Sequence, residues 1–388
     1  MDLIPLSDAP AWQRLGGAHT AAEIAQQPAL CEALAQTLAQ TWPQLQAFLG
    51  DALTDPRQRV LFTGAGSSGF IAEMVADTIN AQWPAEVRAL HTTNLLTHPA
   101  LYLQRDRPTL LVSFGRSGSS PESVAAVELV RASVDQARFL DITCNAQGEL
   151  ARRGAGRADT FTLLMPPASC DQAFAMTSSL TCMLLAALAV FDRGDVDTRG
   201  ARLHQVAALA RQGLAQWDAP VAALAARPFE RVIYLASGPL EALAREAALK
   251  VLELSAGRVL ALANTPLGFR HGPKSTLDAR TLVIVLRSVQ PLARRYEQDL
   301  LAELRRDGVA GQVLAIGPHA DIGADDDFTL TVPATTPALD DAWLAPVWLG
   351  LAQLYALRRS AALGLTPDNP FPDGTVNRVV QGVTIHHG

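Results

Sequence analysis

The sequence predicts an α/β fold: two tandem doubly wound parallel-sheet domains, each an αβα sandwich, with an N-terminal helical extension. Three observations carry this expectation. Compact β-rich runs alternate with longer helical patterns. Two of those runs recur at a common offset of 172 residues. A length of 388 residues at 49% hydrophobic content supplies two or three domains with substantial cores. The expected boundaries are 1–50 for the extension, 51–205 for the first domain, and 206–388 for the second with its C-terminal tail.

Along the chain, the first fifty residues are rich in Ala, Leu and Gln. Thr20 followed by Glu23 has the spacing of a capping box. Residues 29–49 carry apolar side chains at helical spacing, with Pro43 expected to break the helix. Residues 59–63 read as a strand ending in Gly64-Ala65-Gly66-Ser67-Ser68-Gly69, and a helix follows over 70–80. Residues 109–114 read as a second strand. It enters Gly115-Arg116-Ser117-Gly118-Ser119-Ser120 and then a helix beginning near Pro121. Further strands are expected at 139–143 and 161–164. The apolar stretch 180–191 falls short of the ~18 residues a membrane span needs, so it reads as a buried helix. A helical stretch over 201–226 joins the two domains.

The plan then repeats. Residues 231–238 match 59–66, and 281–286 match 109–114, both at the 172 offset. A third strand is expected at 313–317. The pattern reads as an internal duplication, against the plainer alternative that any two α/β domains look alike. The copies differ after the second strand. Val289-Gln290-Pro291-Leu292 stands where the first copy has Ser117-Gly118-Ser119-Ser120, so the polar loop belongs to the first copy.

Composition narrows the function classes. The net charge is −6, and the arginines are interleaved with acids, which argues against a nucleic-acid partner. Of 32 basic residues, two are lysine, Lys250 and Lys274. Residues 1–5 lack the basic and apolar regions of a secretory signal. Cys31, Cys144, Cys170 and Cys182 have no metal or disulfide spacing and read as free thiols of a reducing cytoplasm. No membrane partner is expected.

A loop leaving a strand and entering a helix presents backbone N–H groups and the positive end of the helix dipole, which favour an anion. Glycine allows close backbone approach, and serine adds compact donors. Ser117, Ser119, Ser120 and Ser123, with Arg116 beside them, form such a turn, and Gly66, Ser67 and Ser68 form another. Both belong at the carboxyl ends of parallel strands, where ligands of open α/β sheets bind. The pair suits a phosphate monoester. Two other readings compete. Residues 64–69 also match a GxGxxG dinucleotide fingerprint, although no acid follows at a second strand end. Ordinary helix capping explains either loop as well.

Lys250 and Glu253 are three apart on one helix face, the spacing of a surface ion pair. His271, flanked by Gly272 and Pro273, reads as an exposed residue on a fixed loop.

Taken together, residues 64–68, 113–123, 248–255 and 270–275 resemble the sugar isomerase (SIS) family. They are most similar to its double-SIS branch, which includes the isomerase domain of glucosamine-6-phosphate synthase. The tail over 368–385 resembles the subfamily of tagatose-6-phosphate ketose/aldose isomerases and galactosamine-6-phosphate deaminases. The resemblance runs from about residue 20 to the C-terminus.

It implies that Ser117 and Ser120, with Ser67 and loop N–H groups, hold a sugar 6-phosphate. It makes Gly66, Ser68, Arg116, Ser119, Lys274 and Gln381 further substrate-binding positions. It makes Glu253 the base that moves a proton between C2 and C1, places Lys250 near the reacting end, and has His271 assist ring opening. In the family that histidine is lent by a neighbouring subunit, so a homodimer or higher homo-oligomer is implied. No metal or organic cofactor is required. There are two departures: Gly115 replaces a serine of the synthase, and Gln381 replaces its C-terminal lysine. The chain also begins too close to the first SIS unit to carry an amidotransferase domain.

The implied reaction is conversion of galactosamine 6-phosphate to tagatose 6-phosphate and ammonia by C1/C2 proton transfer. Its alternatives are plain ketose/aldose 6-phosphate isomerisation, glucosamine-6-phosphate deamination, and a non-catalytic sugar-phosphate sensor.

Overall fold

The computed structural model describes residues 4–318, 329–380 and 382–386. The chain divides into two compact units. The first comprises Ala29–Asp171, Ser178–His204 and Gly374–Gly388, and the second Met1–Pro28, Gln172–Thr177 and Gln205–Asp373. Helices α1 (Ala9–Arg14) and α2 (Ala18–Ala25) belong to the second unit, and nearly all of α3 (Gln27–Leu49) to the first.

The first unit is built on β1 (Arg59–Thr63), β2 (Glu86–Ala89), β3 (Thr109–Gly115), β4 (Ala137–Thr143) and β5 (Thr160–Leu164). Its helices are α4 (Ser67–Asn80), α5 (Thr92–Thr97), α6 (Pro121–Ser133), α7 (Glu149–Gly154) and α8 (Ser178–Phe191). The strands form one sheet in the order β2-β1-β3-β4-β5, with every pairing parallel. Helix α9 (Val196–Ala226) starts in the first unit and ends in the second.

The second unit holds β6 (Arg231–Leu235), α10 (Pro239–Leu254), β7 (Leu260–Asn264), α11 (Pro266–Phe269), β8 (Thr281–Leu286), α12 (Pro291–Asp307), β9 (Gln312–Pro318), β10 (Thr329–Val332) and α13 (Asp341–Ala362). Its sheet, β10-β9-β8-β6-β7, is the same 2-1-3-4-5 order read from the other edge, and it too is parallel.

The expected α/β architecture therefore holds, and the strands expected near 59, 109, 139, 161, 231, 281 and 313 are all present. Every residue of β1, β3 and β8 is buried, as a parallel strand covered on both faces requires. Phe62 packs its ring against Phe114 and edge-on against Phe191. Burying one such side chain contributes about 2–3 kcal/mol. Helix α8 is buried at every position, which explains its all-round apolar sequence. Among the described residues no helix is long and apolar enough to cross a membrane.

Three local expectations are corrected. Thr20 does not start a helix: α2 begins earlier, with Gly17 as its N-cap. The orphan N–H groups of His19 and Thr20 donate to the Asp368 carboxylate at 3.0 and 2.7 Å. Glu23 turns instead to the backbone N–H groups of Gln172 and Ala173. Pro43 does not end α3. It lies on an exposed face, as does Ala39, whose carbonyl loses its partner, so water can satisfy that oxygen. Strands β2, β7 and β10 were not anticipated. All three lie at sheet edges, and edge strands carry weak apolar signals (Glu86-Val87-Arg88-Ala89 alternates charge).

None of the four cysteines forms a disulfide, and burial pushes the Cys144 and Cys182 thiols up, so they remain protonated.

Candidate active site

In the first unit, β1 and β3 are neighbours at the point where strand order reverses. The loops following them leave the same end of the sheet side by side. The first loop depends on two glycines. Gly66 takes φ +56°, a conformation that disfavours other residues. A Cβ on Gly64 would fall 2.5 Å from the Ser68 backbone. These glycines let α4 begin at once, with Ser67 and Ser68 buried in its first turn.

The second loop is stitched from its serines. The Ser119 N–H donates to Ser117 Oγ at 3.2 Å, and Ser119 Oγ donates to the Ser117 carbonyl at 3.3 Å. Ser120 is the N-cap of α6, accepting from the Ser123 N–H, and its hydroxyl donates to Ser123 Oγ at 2.7 Å. The capping reading of this loop is thus correct for Ser120, and it leaves Ser117, Ser119 and Ser120 half-buried around a helix N-terminus. A Cβ on Gly115 would approach Gly118 Cα to 3.2 Å, so this tight turn favours glycine where the synthase has serine.

Carbonyl oxygens of the serine loop are held by the end of β4 and the segment that follows it. Thr143 Oγ1 donates to the Gly115 carbonyl (2.6 Å), Asn145 Nδ2 to that of Ser117 (3.2 Å), and the Leu150 N–H to that of Gly118 (2.8 Å). Sequence reasoning missed Thr143 and Asn145, which carry no motif. Their contacts fix the peptide planes that orient the loop's N–H groups. Arg116 is buried, and Nη2 donates to the Arg378 carbonyl at 2.8 Å. The Arg378 guanidinium in turn donates to the Asp171 carbonyl, so Arg116 ties the C-terminal tail to the serine loop. Gln381 lies outside the described residues.

In the second unit, Lys250 is not a surface residue. It is 0% exposed on α10 and lies 3.3 Å from Glu246, itself fully buried, while its ammonium also donates to Glu253. Burial pulls the ammonium down, but the two carboxylates outweigh it and hold it above its ordinary value. The charge is therefore fixed, and it anchors Glu253, whose side chain is 23% exposed. Lys250 thus sits beneath Glu253 rather than on an accessible surface. Glu246 was overlooked, although its spacing of four before Lys250 and seven before Glu253 places all three on one face.

His271 is exposed, between α11 and a 3-10 turn at Pro273–Thr276. Gly272 beside it adopts φ +121°. Among the described residues no hydrogen bond joins His271 to Glu253. Lys274 donates to Glu303 and Asp307 of α12.

Known proteins share this architecture. The SIS domain matches residues 52–191. D-galactosamine-6-phosphate deaminase AgaS of Shewanella sp. strain ANA-3 is 40% identical over 374 residues, spanning 96% of this chain and 92% of that one. The crystal structure of tagatose-6-phosphate ketose/aldose isomerase from Escherichia coli has a TM-score of 0.89 at 39% identity and covers 99% of each chain. The C-terminal domain of glucosamine-fructose-6-phosphate aminotransferase from Francisella tularensis shares the fold, with a TM-score of 0.69 at 16% identity over 91% of this chain and 98% of that one. Two like-ordered parallel sheets and a serine-loop helix N-terminus define a double-SIS protein. Within that class the chain belongs to the D-galactosamine-6-phosphate deaminase AgaS family.

Proposed function

We propose that the protein converts galactosamine 6-phosphate and water to tagatose 6-phosphate and ammonia. The observation that carries this reading is Glu253, a partly exposed carboxylate anchored on a wholly buried ammonium. Such a group can take the C2 proton of the open-chain amino sugar and return it to C1. The aldehyde carbon becomes a CH2OH group and C2 becomes an imine. Water adds at C2 and ammonia leaves. His271 carries the ring-opening proton, which suits an imidazole. The N–H groups and hydroxyls of the loops at Gly66–Ser68 and Ser117–Ser120 hold the phosphate, whose binding orients the reacting carbons. Arg116 serves that site by fixing the tail, and Gln381 and Lys274 are assigned to the sugar end. Lys250 acts through Glu253. The relatives named D-galactosamine-6-phosphate deaminase support the substrate.

The name of the Escherichia coli neighbour favours a second reading, ketose/aldose 6-phosphate isomerisation by the same proton shift. The protein is further read as a cytoplasmic homodimer or higher homo-oligomer with a hydrolytic second step. Its duplicated domains span 51–205 and 206–388, and it has no nucleic-acid or membrane partner. A panel of hexosamine and ketose 6-phosphates, with ammonia and ketose both measured, tests the choice. Ammonia from galactosamine 6-phosphate is expected. Ketose turnover with no ammonia from any hexosamine establishes the second reading instead. Glu253→Gln is expected to lower kcat at least about a hundredfold with KM little changed. Full activity in that variant removes Glu253 as the base.

A further inference from the structure

The loop that carries His271 is gripped on both sides by one carboxylate. Arg270 Nε donates to Glu303 Oε2 at 2.8 Å, and Lys274 Nζ donates to Glu303 Oε1. These cations stand one residue before the histidine and three after it. Lys274 also reaches Asp307, one turn further along α12. Phe269, at the end of α11, is buried in the same apolar cluster as Leu300, Leu301 and Leu304 of α12. The helix therefore holds the loop from below through its core face and at both shoulders through Glu303. His271, at the crest, stays exposed.

Stability does not explain this clamp. The side chains of Arg270, Lys274, Glu303 and Asp307 are 21% to 30% exposed, and ion pairs at such positions contribute little to folding. The geometry is nonetheless specific, since each oxygen of one carboxylate takes a cation from opposite sides of the same residue. Lys274 first, and then Arg270, holds the Glu303 carboxyl below its usual range.

We propose that Glu303 is a positioning residue for the reaction: it fixes the His271 loop on α12 so that the imidazole is presented in one geometry. The proposal rests on the reading of His271 as the ring-opening group. A catalytic group displaced by about 1 Å loses up to a hundredfold in rate, whereas loss of a partly exposed ion pair leaves the fold intact.

The test is a double-mutant cycle on the full-length protein, with ammonia release from galactosamine 6-phosphate as the assay. His271→Gln is expected to lower kcat about a hundredfold. Glu303→Ala is expected to lower kcat about tenfold, with KM and thermal midpoint near wild type. In the His271→Gln background, Glu303→Ala is expected to cost nothing further, because a positioning residue has nothing left to position. A wild-type kcat for Glu303→Ala overturns the proposal, and so does a tenfold loss that persists in the His271→Gln background. A wild-type kcat for His271→Gln overturns the role of His271 itself, and the proposal with it. Glu303→Gln, which keeps the side-chain volume and one acceptor, gives the same reading should the alanine variant fold poorly.

Discussion

The loop after β3 and the loop after β8 leave equivalent strands of two sheets with the same order, yet their donors go to different places. The adjoining glycines take nearly one conformation: Gly66 has φ +56° and ψ −130°, and Gly238 has φ +59° and ψ −134°. In the first unit, Ser117, Ser119 and Ser120 are half-buried and bond mainly within their own loop. In the second, the chain's own acids take the donors. The Ser288 N–H donates to Glu297 Oε2 at 3.0 Å, the Ser288 hydroxyl to Asp341, and the Val289 N–H to Asp341 Oδ1 at 2.7 Å. Asp341 opens α13, which packs along α10, the helix that carries Lys250 and Glu253. Donors at the carboxyl end of a parallel sheet attract negative charge in both copies. In the first copy the serine hydroxyls bond within their own loop, and in the second the donors dock a helix.

The sharpest way to break this comparison is to remove the internal anion. Asp341→Ala deletes two charge-assisted hydrogen bonds and leaves a buried hydroxyl at Ser288 and a half-buried N–H at Val289 without their acceptor. The expected cost is about 5 kcal/mol of stability, read as a fall in the urea midpoint. A loss below about 1 kcal/mol would show that the second loop does not depend on its acid.

The contrast extends into the sheets. In the first, the register sets Ser113 of β3 opposite Asp141 of β4, and in the second it sets Val285 opposite Ala315. Asp141 is 1% exposed, and burial pushes its carboxyl up to about 7, with Ser113 and Arg131 beside it offsetting part of that rise. In the unfolded chain it returns to its ordinary 3.8. Between these values the folded protein binds the extra proton, so its stability declines as pH rises from about 4 to about 7. The decline attributable to this residue is on the order of 4 kcal/mol, with none of it present below pH 4. Urea midpoints across that range should slope less in Asp141→Asn than in the wild type. Identical slopes would remove Asp141 from the comparison.

How much of this was legible in the sequence follows from range. Strands β1, β3 and β8, buried on both faces, announce themselves as compact, largely apolar runs. The serine loop is contiguous, and Lys250 with Glu253 is visible as a helical spacing. Burial is not visible in that spacing: the pair resembles a solvated one until α10 is placed against its neighbours. Glu303 lies 33 residues from Arg270 and 29 from Lys274, and Arg378 lies 262 from Arg116. No local pattern joins such partners. The same holds for Asp368, which caps α2 from the far end of the chain and displaces the capping box that Thr20 and Glu23 suggest. Val289-Gln290-Pro291-Leu292 correctly signals that the second loop lacks counterparts of Ser117, Ser119 and Ser120, but the acids that accept its remaining donors come from α12 and α13.

The finest test exchanges one serine at a time. Ser117 and Ser288 sit on corresponding loops and accept comparable bonds: Ser117 Oγ from the Ser119 N–H at 3.2 Å, and Ser288 Oγ from the Gln290 N–H at 2.9 Å. Ser288 is 1% exposed and also donates to Asp341, so Ser288→Ala removes a buried charge-assisted bond. It is expected to cost about 2 kcal/mol of stability and to leave phosphate affinity unchanged. Ser117→Ala loses a bond within a half-buried loop, and the stability change is expected to stay under about 1 kcal/mol. Its affinity for inorganic phosphate, measured by competition against the sugar phosphate, should fall about tenfold, or about 1.4 kcal/mol. The two variants thus exchange their effects, one moving the melting point and the other the binding constant. Should both move the same quantity, the two loops serve one purpose, and the division between a ligand cradle and an internal staple is lost.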